Sequence, residues 1–421
     1  MLKLFCNYCL FLFFFICFKT NVFSQNNNPN STTVFLATAK TKSTVLRQQI
    51  KVDVLKSTRY YLPFLEKISF QTQTDRFEFQ RQEYQSRASF NGFSEIRSEK
   101  QWKQANIKAE EAEQDVLFQD ILFDRYAVLV EYRNALNALN LYKKIYLVFA
   151  DKRDVLQKMA KLSTNFNIED LIKAEENAYQ YQQKIAEKES LINKLNHFSQ
   201  LIFNSKDSFQ LDTTNWIPLS KIRDFVNNLP NNNAKNALLN RQEAEINLIQ
   251  ANYNVLKASD KKILDYGQIK YGARQTKEFQ TELSLGLGFV LPYRGSSKIA
   301  LNKLNFKQLE EKNKLQDIQE SLDLQLFSAQ KDLEITFKEY DLVTKQINES
   351  QTLYSLDHYM QMQGGSPIVM LRMQELVLQR QARLIELEHD ATLQYLKLLS
   401  FTGKLTAMPL QNYLSANFEG F

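Results

Sequence analysis

The chain has 421 residues, with 53 Lys and Arg against 47 Asp and Glu and a formal net charge of +6. The basic excess is mild and is spread along the chain, so it gives no case for a nucleic-acid partner. All three cysteines, at positions 6, 9 and 17, lie within the first 24 residues, so the remainder can form no disulfide and offers no thiolate chemistry.

The first 24 residues have the layout of a secretory signal peptide. Lys3 stands near the start, the apolar run Leu10–Ile16 follows, and Ser24 precedes the expected cleavage point. Without this leader, which also contains Lys19, 51 basic residues remain against 47 acidic ones, a net charge of +4. Residues 25–33 are rich in Asn and are expected to be a disordered mature N-terminus.

Two long tracts lack the residues that usually interrupt helices. Glycine is absent from Phe93 to Tyr266 and proline from Phe64 to Ile217, and neither occurs from Ser296 to Gln363. We therefore expect helices at Ser94–Leu162 and Ser296–Met362, each roughly 100 Å long at about 1.5 Å per residue. The second helix carries a single apolar stripe, which needs one neighbour to cover it. The first helix carries a broader set of apolar residues, which predicts neighbours on more than one of its sides.

A pair of short strands is predicted in each half of the chain. In the second half, the stretch from Leu283 to Leu291 alternates apolar residues with mostly small ones, and its expected partner is Ile263–Ala273. The glycines of this alternation are interpreted as small residues that face a lumen. In the first half the pair is Phe64–Gln73 and Tyr84–Phe93. These lengths are sufficient for tilted strands to cross a bilayer.

The two halves show an internal duplication. The segment Asp53–Ser57 is echoed by Asn254–Ala258, 201 residues later, and each half is predicted as helix, strand, strand, long helix, reversal, helix. The expected organisation is a signal peptide (1–24), a mature N-terminus (25–33), a first structural repeat (34–203), a linker with some local structure (204–233), a second structural repeat (234–405) and a C-terminal tail (406–421).

Four strands cannot close a barrel that holds a lumen, because the smallest membrane barrels have about eight. Open strand edges are not tolerated in lipid. Three copies would supply twelve strands, and their helices would extend the barrel as a cylinder. The chain is therefore expected to be mainly α with a small β part, and to form a homotrimer in which long antiparallel coiled-coil helices continue a shared 12-stranded barrel.

Each long helix is expected to end at a tight reversal. In the second half Gly365 can take the left-handed conformation that ends a helix, Ser366 can cap the next helix, and Pro367 suits its first position. In the first half Asn165 and Asn167 would play the corresponding parts.

Several motifs occur in the order found in one family of membrane proteins. Phe289–Gly295 is an apolar-Pro-aromatic segment before a long helix, Gly364–Pro367 is a glycine-rich reversal, and Leu398–Gly403 is a Leu-Gly-like stop. Tyr61–Pro63 is an aromatic-Leu-Pro entry to the first strand. Over nearly the whole mature chain, the sequence therefore resembles the TolC family of outer-membrane efflux proteins.

The resemblance implies a channel subunit in the outer membrane of a Gram-negative bacterium, with a large periplasmic part. Its partners would be a periplasmic adaptor (membrane fusion) protein and an inner-membrane pump, and it would be a passive conduit for their substrates. The alternative is a secreted periplasmic coiled-coil structural or adaptor protein without a channel. A third possibility is a TolC-like scaffold that has lost its channel, which the less apolar first strand pair would suit.

By the resemblance, the reversals form the tip that faces the inner membrane, where adaptors dock and the tunnel is gated. The residues expected there are Asn165, Asn167, Glu169, Asp170, Gly364, Gly365, Ser366, Pro367, Val369 and Arg372. In the best-known members an acidic ring narrows the pore at the positions of Val369 and Arg372, so here that ring is missing. Arg372, tripled by symmetry, would form a positive constriction; alternatively it is an exposed side chain paired with Glu375 or with a neighbouring helix. Glu169 and Asp170 are interpreted as helix-start charges rather than gate residues.

Catalytic and metal-binding patterns are not found in the sequence. His197, His358 and His389 lie far apart on separate predicted helices, without metal-ligand spacing. No Ser-His-Asp signature, phosphate-binding loop or Gly-rich dinucleotide turn occurs. We therefore expect no enzyme activity, no cofactor and no metal site.

Overall fold

The computed structural model describes residues 32–58, 62–74, 82–162, 166–203, 215–229, 236–273, 281–290, 295–349 and 366–421. The predicted signal peptide lies outside them. The helices are α1 (Thr32–Ala37), α2 (Ser43–Ser57), α3 (Phe93–Leu162), α4 (Ile168–Phe203), α5 (Leu219–Asn227), α6 (Ala237–Ser259), α7 (Gly295–Asn348) and α8 (Pro367–Phe401). The strands are β1 (Leu65–Thr74), β2 (Gln82–Phe90), β3 (Leu264–Ala273) and β4 (Thr281–Phe289). None of the helices in these ranges is long and apolar enough to cross a membrane.

Both predicted strand pairs form, and they join in one antiparallel sheet of order β1-β2-β3-β4. The central pairing of β2 with β3 connects the two halves of the chain and places Ala88 opposite Gly267. Within the described residues, the outer edges of β1 and β4 have no strand partner. The sheet is therefore open at both sides in a single chain.

β2 ends at Phe90, before the predicted boundary at Phe93. The chain turns at Asn91, whose backbone N–H donates to the Phe64 carbonyl and whose Nδ2 donates to the Pro63 carbonyl, both at 2.8 Å. Phe93 is already the first residue of α3. The Asn91 hydrogen bonds thus fix the point at which the long helix leaves the sheet.

α3 is the central helix of the fold, with 70 residues and a length of roughly 105 Å at about 1.5 Å per residue. α2 and α6 pack beside its first half, where Gln48 Nε2 donates to Glu110 Oε2 at 2.7 Å and Arg241 pairs with Glu113 at 3.1 Å. α4 and α8 pack beside its second half, around a cluster that contains the buried Phe149. The broad apolar pattern of this helix therefore serves several neighbours.

α7 packs between α6 and α8. Gln242 Nε2 on α6 donates to Glu311 Oε2 at 2.8 Å, and Arg383 on α8 pairs with Glu339 at 2.8 Å. The described part of α7 ends at Asn348, and the remainder of the predicted helix lies outside the described residues.

The main apolar core lies around the middle of the long helices. Three segments pack against α3 and α8 and are together called the belt: α1, α5 and residues 404–421. Fully or almost fully buried residues of this core are Phe35, Leu36, Tyr126, Leu129, Ile222, Tyr395, Leu399, Leu410 and Leu414. Because these side chains come from both chain ends and from the linker, the belt fastens distant parts of the sequence to the same two helices.

Within the belt, the N-terminus differs from the sequence prediction, whereas the linker has the local structure that was expected of it. α1 begins at Thr32, so the last two residues assigned to a disordered N-terminus are helical, and Asn412 Nδ2 donates to Thr32 Oγ1 at 3.1 Å. The linker contains α5, whose Ile222 is buried. The C-terminal tail is packed, because Leu414 lies in the core and its carbonyl accepts from the Ile217 N–H at 2.8 Å.

Candidate functional site

The sheet has two chemically different faces. The register places Phe70, Ser86, Ile269 and Leu285 in one row across the four strands, on the side here called the apolar face. The aliphatic and Phe side chains exposed on this face include Ile68, Phe70, Ile269, Leu283, Leu285, Leu287 and Phe289. Phe70 is 79% exposed and Leu285 78%. A contiguous apolar surface of this kind marks an interaction with lipid or protein.

The opposite side, here called the polar face, is cross-linked by hydrogen bonds and ion pairs between strands. Gln85 Nε2 donates to Gln268 Oε1 at 2.9 Å, and Lys270 pairs with Glu83 at 2.5 Å. Both contacts join β2 to β3. The polar face is therefore suited to contact with water, whereas the apolar face is suited to contact with lipid or protein.

The two glycines of β4 lie on the polar face, where side chains of β3 cover them. A Cβ at Gly288 would overlap the Tyr266 ring, and a Cβ at Gly286 would come within 2.9 Å of Gln268 Cγ. The Arg87 guanidinium lies over the same Tyr266 ring, 3.3 Å from its centroid. Packing inside the sheet therefore requires these glycines, which is a constraint that the sequence pattern did not reveal.

Aromatic side chains border the apolar face at both ends. Near the helices, the Phe64 ring lies 5.1 Å from the rings of Phe90 and Phe93. At the other end, the Tyr84 and Tyr271 rings lie 6.5 Å apart. Phe90 and Tyr84 are separated by roughly 20 Å of strand at about 3.3 Å per residue. Aromatic rows on either side of an apolar band are typical of strands that lie in lipid.

The end of the fold opposite the sheet contains the residues predicted for the first reversal. Asn167 Oδ1 accepts a hydrogen bond from the Glu169 N–H at 3.1 Å and so caps α4. Glu169 pairs with Lys173 at 2.6 Å, and the Lys173 hydrogen bond lowers the pKa of the Glu169 carboxyl. Asp170 is exposed in the first turn of α4. Asn165 lies outside the described residues.

Apolar side chains are exposed at this end of the α3–α4 pair. Leu162, the last residue of α3, is 88% exposed, and Ile168, the first residue of α4, is 65% exposed. Met159 and Ile172, one turn further from the reversal, are exposed as well. These four residues, here called the apolar tip, form a second surface that a single chain leaves uncovered.

The start of α8 holds the residues predicted for the second reversal. Ser366 occupies the N-cap position, and Pro367 is the first helical residue. The prediction that the Ser366 side chain caps the helix is wrong, because that side chain makes no capping hydrogen bond; its backbone carbonyl accepts from the Met370 N–H at 3.3 Å. Gly364 and Gly365 lie outside the described residues.

Val369 and Arg372 are both exposed on the first turns of α8. The alternative pairing of Arg372 with Glu375 is wrong, because Glu375 Oε2 lies 3.0 Å from Lys152 Nζ on α3. In the part of the chain that the structure describes, Arg372 has no ion-pair partner. The Lys152–Glu375 pair, whose side chains are 19% and 18% exposed, was missed by sequence reasoning because its members are more than 200 positions apart.

The structure describes two of the three histidines, and it does not place them in a shared metal-binding group. His389 Nε2 lies 3.5 Å from Glu131 Oε1, His197 is on α4, and His358 lies outside the described residues. Among the residues that are described, no group of three or more His, Cys, Asp or Glu side chains could hold a metal ion.

No protein-family model and no curated protein matches the sequence. Solved structures do match it. CusC, a protein that undergoes conformational changes on folding and transmembrane channel formation, is 13% identical to this chain. The match has a TM-score of 0.63 and covers 91% of this chain and 95% of CusC. The open-state MtrE outer-membrane channel of Neisseria gonorrhoeae is 13% identical with a TM-score of 0.64, over 89% of each chain. The outer-membrane protein VceC of Vibrio cholerae is 10% identical with a TM-score of 0.61, over 88% of this chain and 96% of VceC.

At these identities the likeness is one of fold, and it extends over nearly the whole length of both chains. It confirms the resemblance that the strand, helix and reversal motifs predict. The chain therefore has the fold of the TolC family of outer-membrane channels.

Proposed function

We propose that the chain is one subunit of a passive export channel in the outer membrane of a Gram-negative bacterium. Three copies would close a twelve-stranded barrel, and their helices would continue it as a tunnel through the periplasm. A periplasmic adaptor and an inner-membrane pump would deliver the exported substrate. Opening would be a packing change at the helix ends rather than a chemical step.

The observation that carries this proposal is the contrast between the two faces of the sheet. The apolar face, with Leu285 78% exposed, would contact lipid, and the polar face, with its Gln85–Gln268 and Lys270–Glu83 contacts, would line a water-filled lumen. Alternation of lipid-facing and lumen-facing residues is the pattern of membrane barrel strands. A periplasmic coiled-coil adaptor without a channel would have no use for an apolar sheet face.

The open edges of the sheet support the trimer. β1 of one chain would pair with β4 of the next, because unpaired backbone groups are costly in lipid. We also propose that residues 34–203 and 234–405 are two structural repeats, with the β2–β3 pairing as their junction in the sheet.

For the adaptor, we propose the helix ends opposite the sheet. The apolar tip, with Leu162 88% exposed and Ile168 65% exposed, would be covered by the adaptor, and Asn167, Glu169 and Asp170 would hold the start of α4 in place. Ser366, Pro367, Val369 and Arg372 would lie at the equivalent end of α8, beside the gate.

The oligomeric state tests this proposal. The full chain, expressed with its leader and extracted from outer membranes in a mild detergent, should have the mass of three protein chains by light scattering. The sequence after the leader has no cysteine, so single cysteines placed on β1 and β4 can report the proposed edge pairing by disulfide cross-linking without background. A monomer that stays in solution without detergent would contradict the proposal.

Reversal of the Arg372 charge should change the ion selectivity of the channel. Three copies of Arg372 in a constriction would favour anions, so Arg372→Glu should shift the reversal potential in a salt gradient towards cations by severalfold in permeability ratio. Arg372→Gln, which removes the charge without inverting it, should give an intermediate value. Identical reversal potentials for the three proteins would place Arg372 away from the constriction.

A further inference from the structure

A cavity of about 600 Å³ lies where α2 ends and α3 begins, directly below the sheet. Leu55, Leu62, Phe93 and Ile96 supply an apolar wall, and Trp102 lies among the lining residues. This volume is in the range of small-molecule sites in proteins. The residues that line the cavity belong to α2, to α3 and to the segment between α2 and β1, not to the strands or to the helix ends described above.

A row of Phe rings connects the cavity to the apolar face. Phe93, which lines the cavity, stacks on Phe64, and Phe64 contacts Phe90. Phe90 lies on the apolar face, because alternate residues of a strand share a face and Ser86, Ala88 and Phe90 therefore point to the same side. In agreement, a Cβ added at Gly267, the register partner of Ala88, would lie 3.5 Å from the Phe90 ring. The cavity therefore continues the apolar face beyond the row of Phe rings, at the depth where a bilayer would meet water.

The polar part of the lining is basic. Arg97, Lys100 and Lys103 line the cavity together with a single carboxylate, Glu99. In the described residues neither Arg97 nor Lys100 has an ion-pair partner, while Lys103 Nζ donates to the Thr58 carbonyl. Three cations beside an apolar wall match a phosphate group that is attached to an acyl chain.

We propose that this cavity, lined by Arg97, Lys100 and Trp102 below the Phe row, binds an anionic phospholipid of the periplasmic leaflet. The phosphate contacts Arg97 and Lys100, and one acyl chain runs past Phe93 onto the apolar face. A free phosphate leaves the apolar wall unused, and an apolar protein segment leaves the cations unpaired. The inference rests on the proposed function, because only a membrane around the sheet brings lipid to this depth.

The two tryptophans of the chain make a direct test possible, since Trp102 lines the cavity and Trp216 lies in the segment before α5. In a Trp216→Phe variant of the full trimer in detergent, Trp102 is the single reporter. Phosphatidylglycerol with a brominated acyl chain should quench the Trp102 fluorescence saturably. It should do so at a roughly ten- to thirtyfold lower concentration than phosphatidylcholine with the same chain, because Arg97 and Lys100 each contribute about 1 kcal/mol to binding an anionic lipid. Inorganic phosphate should not displace the lipid.

Arg97→Gln with Lys100→Gln should abolish the preference for phosphatidylglycerol. The matched control is Lys298→Gln with Lys303→Gln. Both lysines are exposed in the first turns of α7, and they lie about as far from the start of that helix as Arg97 and Lys100 lie from the start of α3. Equal quenching by the two lipids, or a trimer in which no lipid reaches Trp102 because a neighbouring copy covers it, would overturn the inference. Conductance of the wild-type trimer in a bilayer is measured separately. A conducting trimer without lipid selectivity would contradict only the lipid site, whereas a trimer that does not conduct would contradict the proposed channel function.

Discussion

Replacement of Phe70 by Arg should prevent stable assembly of the protein in the outer membrane. Phe70 lies at the middle of β1 on the apolar face and is 79% exposed in the single chain. In lipid, a charged side chain near the middle of a membrane strand costs about 2–4 kcal/mol, and the trimer would carry three. We therefore expect trimer yield in outer-membrane fractions to fall by more than tenfold relative to the wild type.

The control is the neighbouring substitution Gln71→Arg. Gln71 is also exposed but points to the polar face, opposite Gln85, where an added cation would face water. Its trimer yield should stay within about twofold of the wild type, since exposed substitutions usually change stability by less than about 0.5 kcal/mol. If Phe70→Arg and Gln71→Arg behaved alike, the apolar face would not be in contact with lipid.

Removal of the Tyr126 hydroxyl should loosen the belt from the central helix. This hydroxyl donates to the Gln411 carbonyl at 2.7 Å and accepts from the Tyr413 N–H at 3.2 Å. Burial raises the pKa of the Tyr126 phenol, so it remains a donor throughout the physiological range. Tyr126→Phe would leave both backbone groups without this partner, at a cost of about 1–3 kcal/mol for each buried group. Thermal unfolding, followed by the loss of helical circular dichroism, should move to a lower temperature.

Tyr142→Phe is the matched control on the same helix. Within the described part of the chain, the Tyr142 hydroxyl makes no hydrogen bond, and its ring packs edge-on against Tyr181. Loss of that hydroxyl should leave the unfolding temperature nearly unchanged. Equal shifts for the two variants would mean that the Tyr126 hydrogen bonds do not hold the C-terminal segment in place.

Local patterns in the sequence were sufficient to predict the strands and the long central helix. The alternation from Leu283 onward and the absence of Gly and Pro after Phe93 are both short-range signals. The end of β2 was misplaced because the turn at Asn91 depends on the Pro63 and Phe64 carbonyls at the start of another strand. Boundaries that are set by such tertiary hydrogen bonds leave little trace in the local pattern.

The belt could not be predicted, because its stability comes from contacts between distant parts of the chain. The hydrogen bond between Asn412 and Thr32 joins residues that are 380 positions apart. Leu414 is buried although the last sixteen residues form neither a helix nor a strand. An Asn-rich segment is expected to be disordered unless a core that other segments supply holds it in place.

At the candidate site, one of the two predicted side-chain caps forms, and the predicted ion-pair partner of Arg372 does not. Asn167 caps α4 with its side chain, as its residue type and position predict, whereas Ser366 in the same position before α8 does not. The partner of Glu375 proved to be Lys152 on another helix. A sequence places Arg372 near Glu375 by helical spacing, but it contains no information about which helix lies opposite.

The conductance of the purified wild-type trimer in a planar lipid bilayer tests the central claim most directly. We expect discrete, stepwise increases in current after the protein is added, since a polar face closed on itself would enclose a water-filled path. Matched amounts of the Phe70→Arg protein should give no steps, because that variant should not insert. A wild-type trimer that associates with the bilayer and produces no conductance would contradict the assignment of this chain as an export channel.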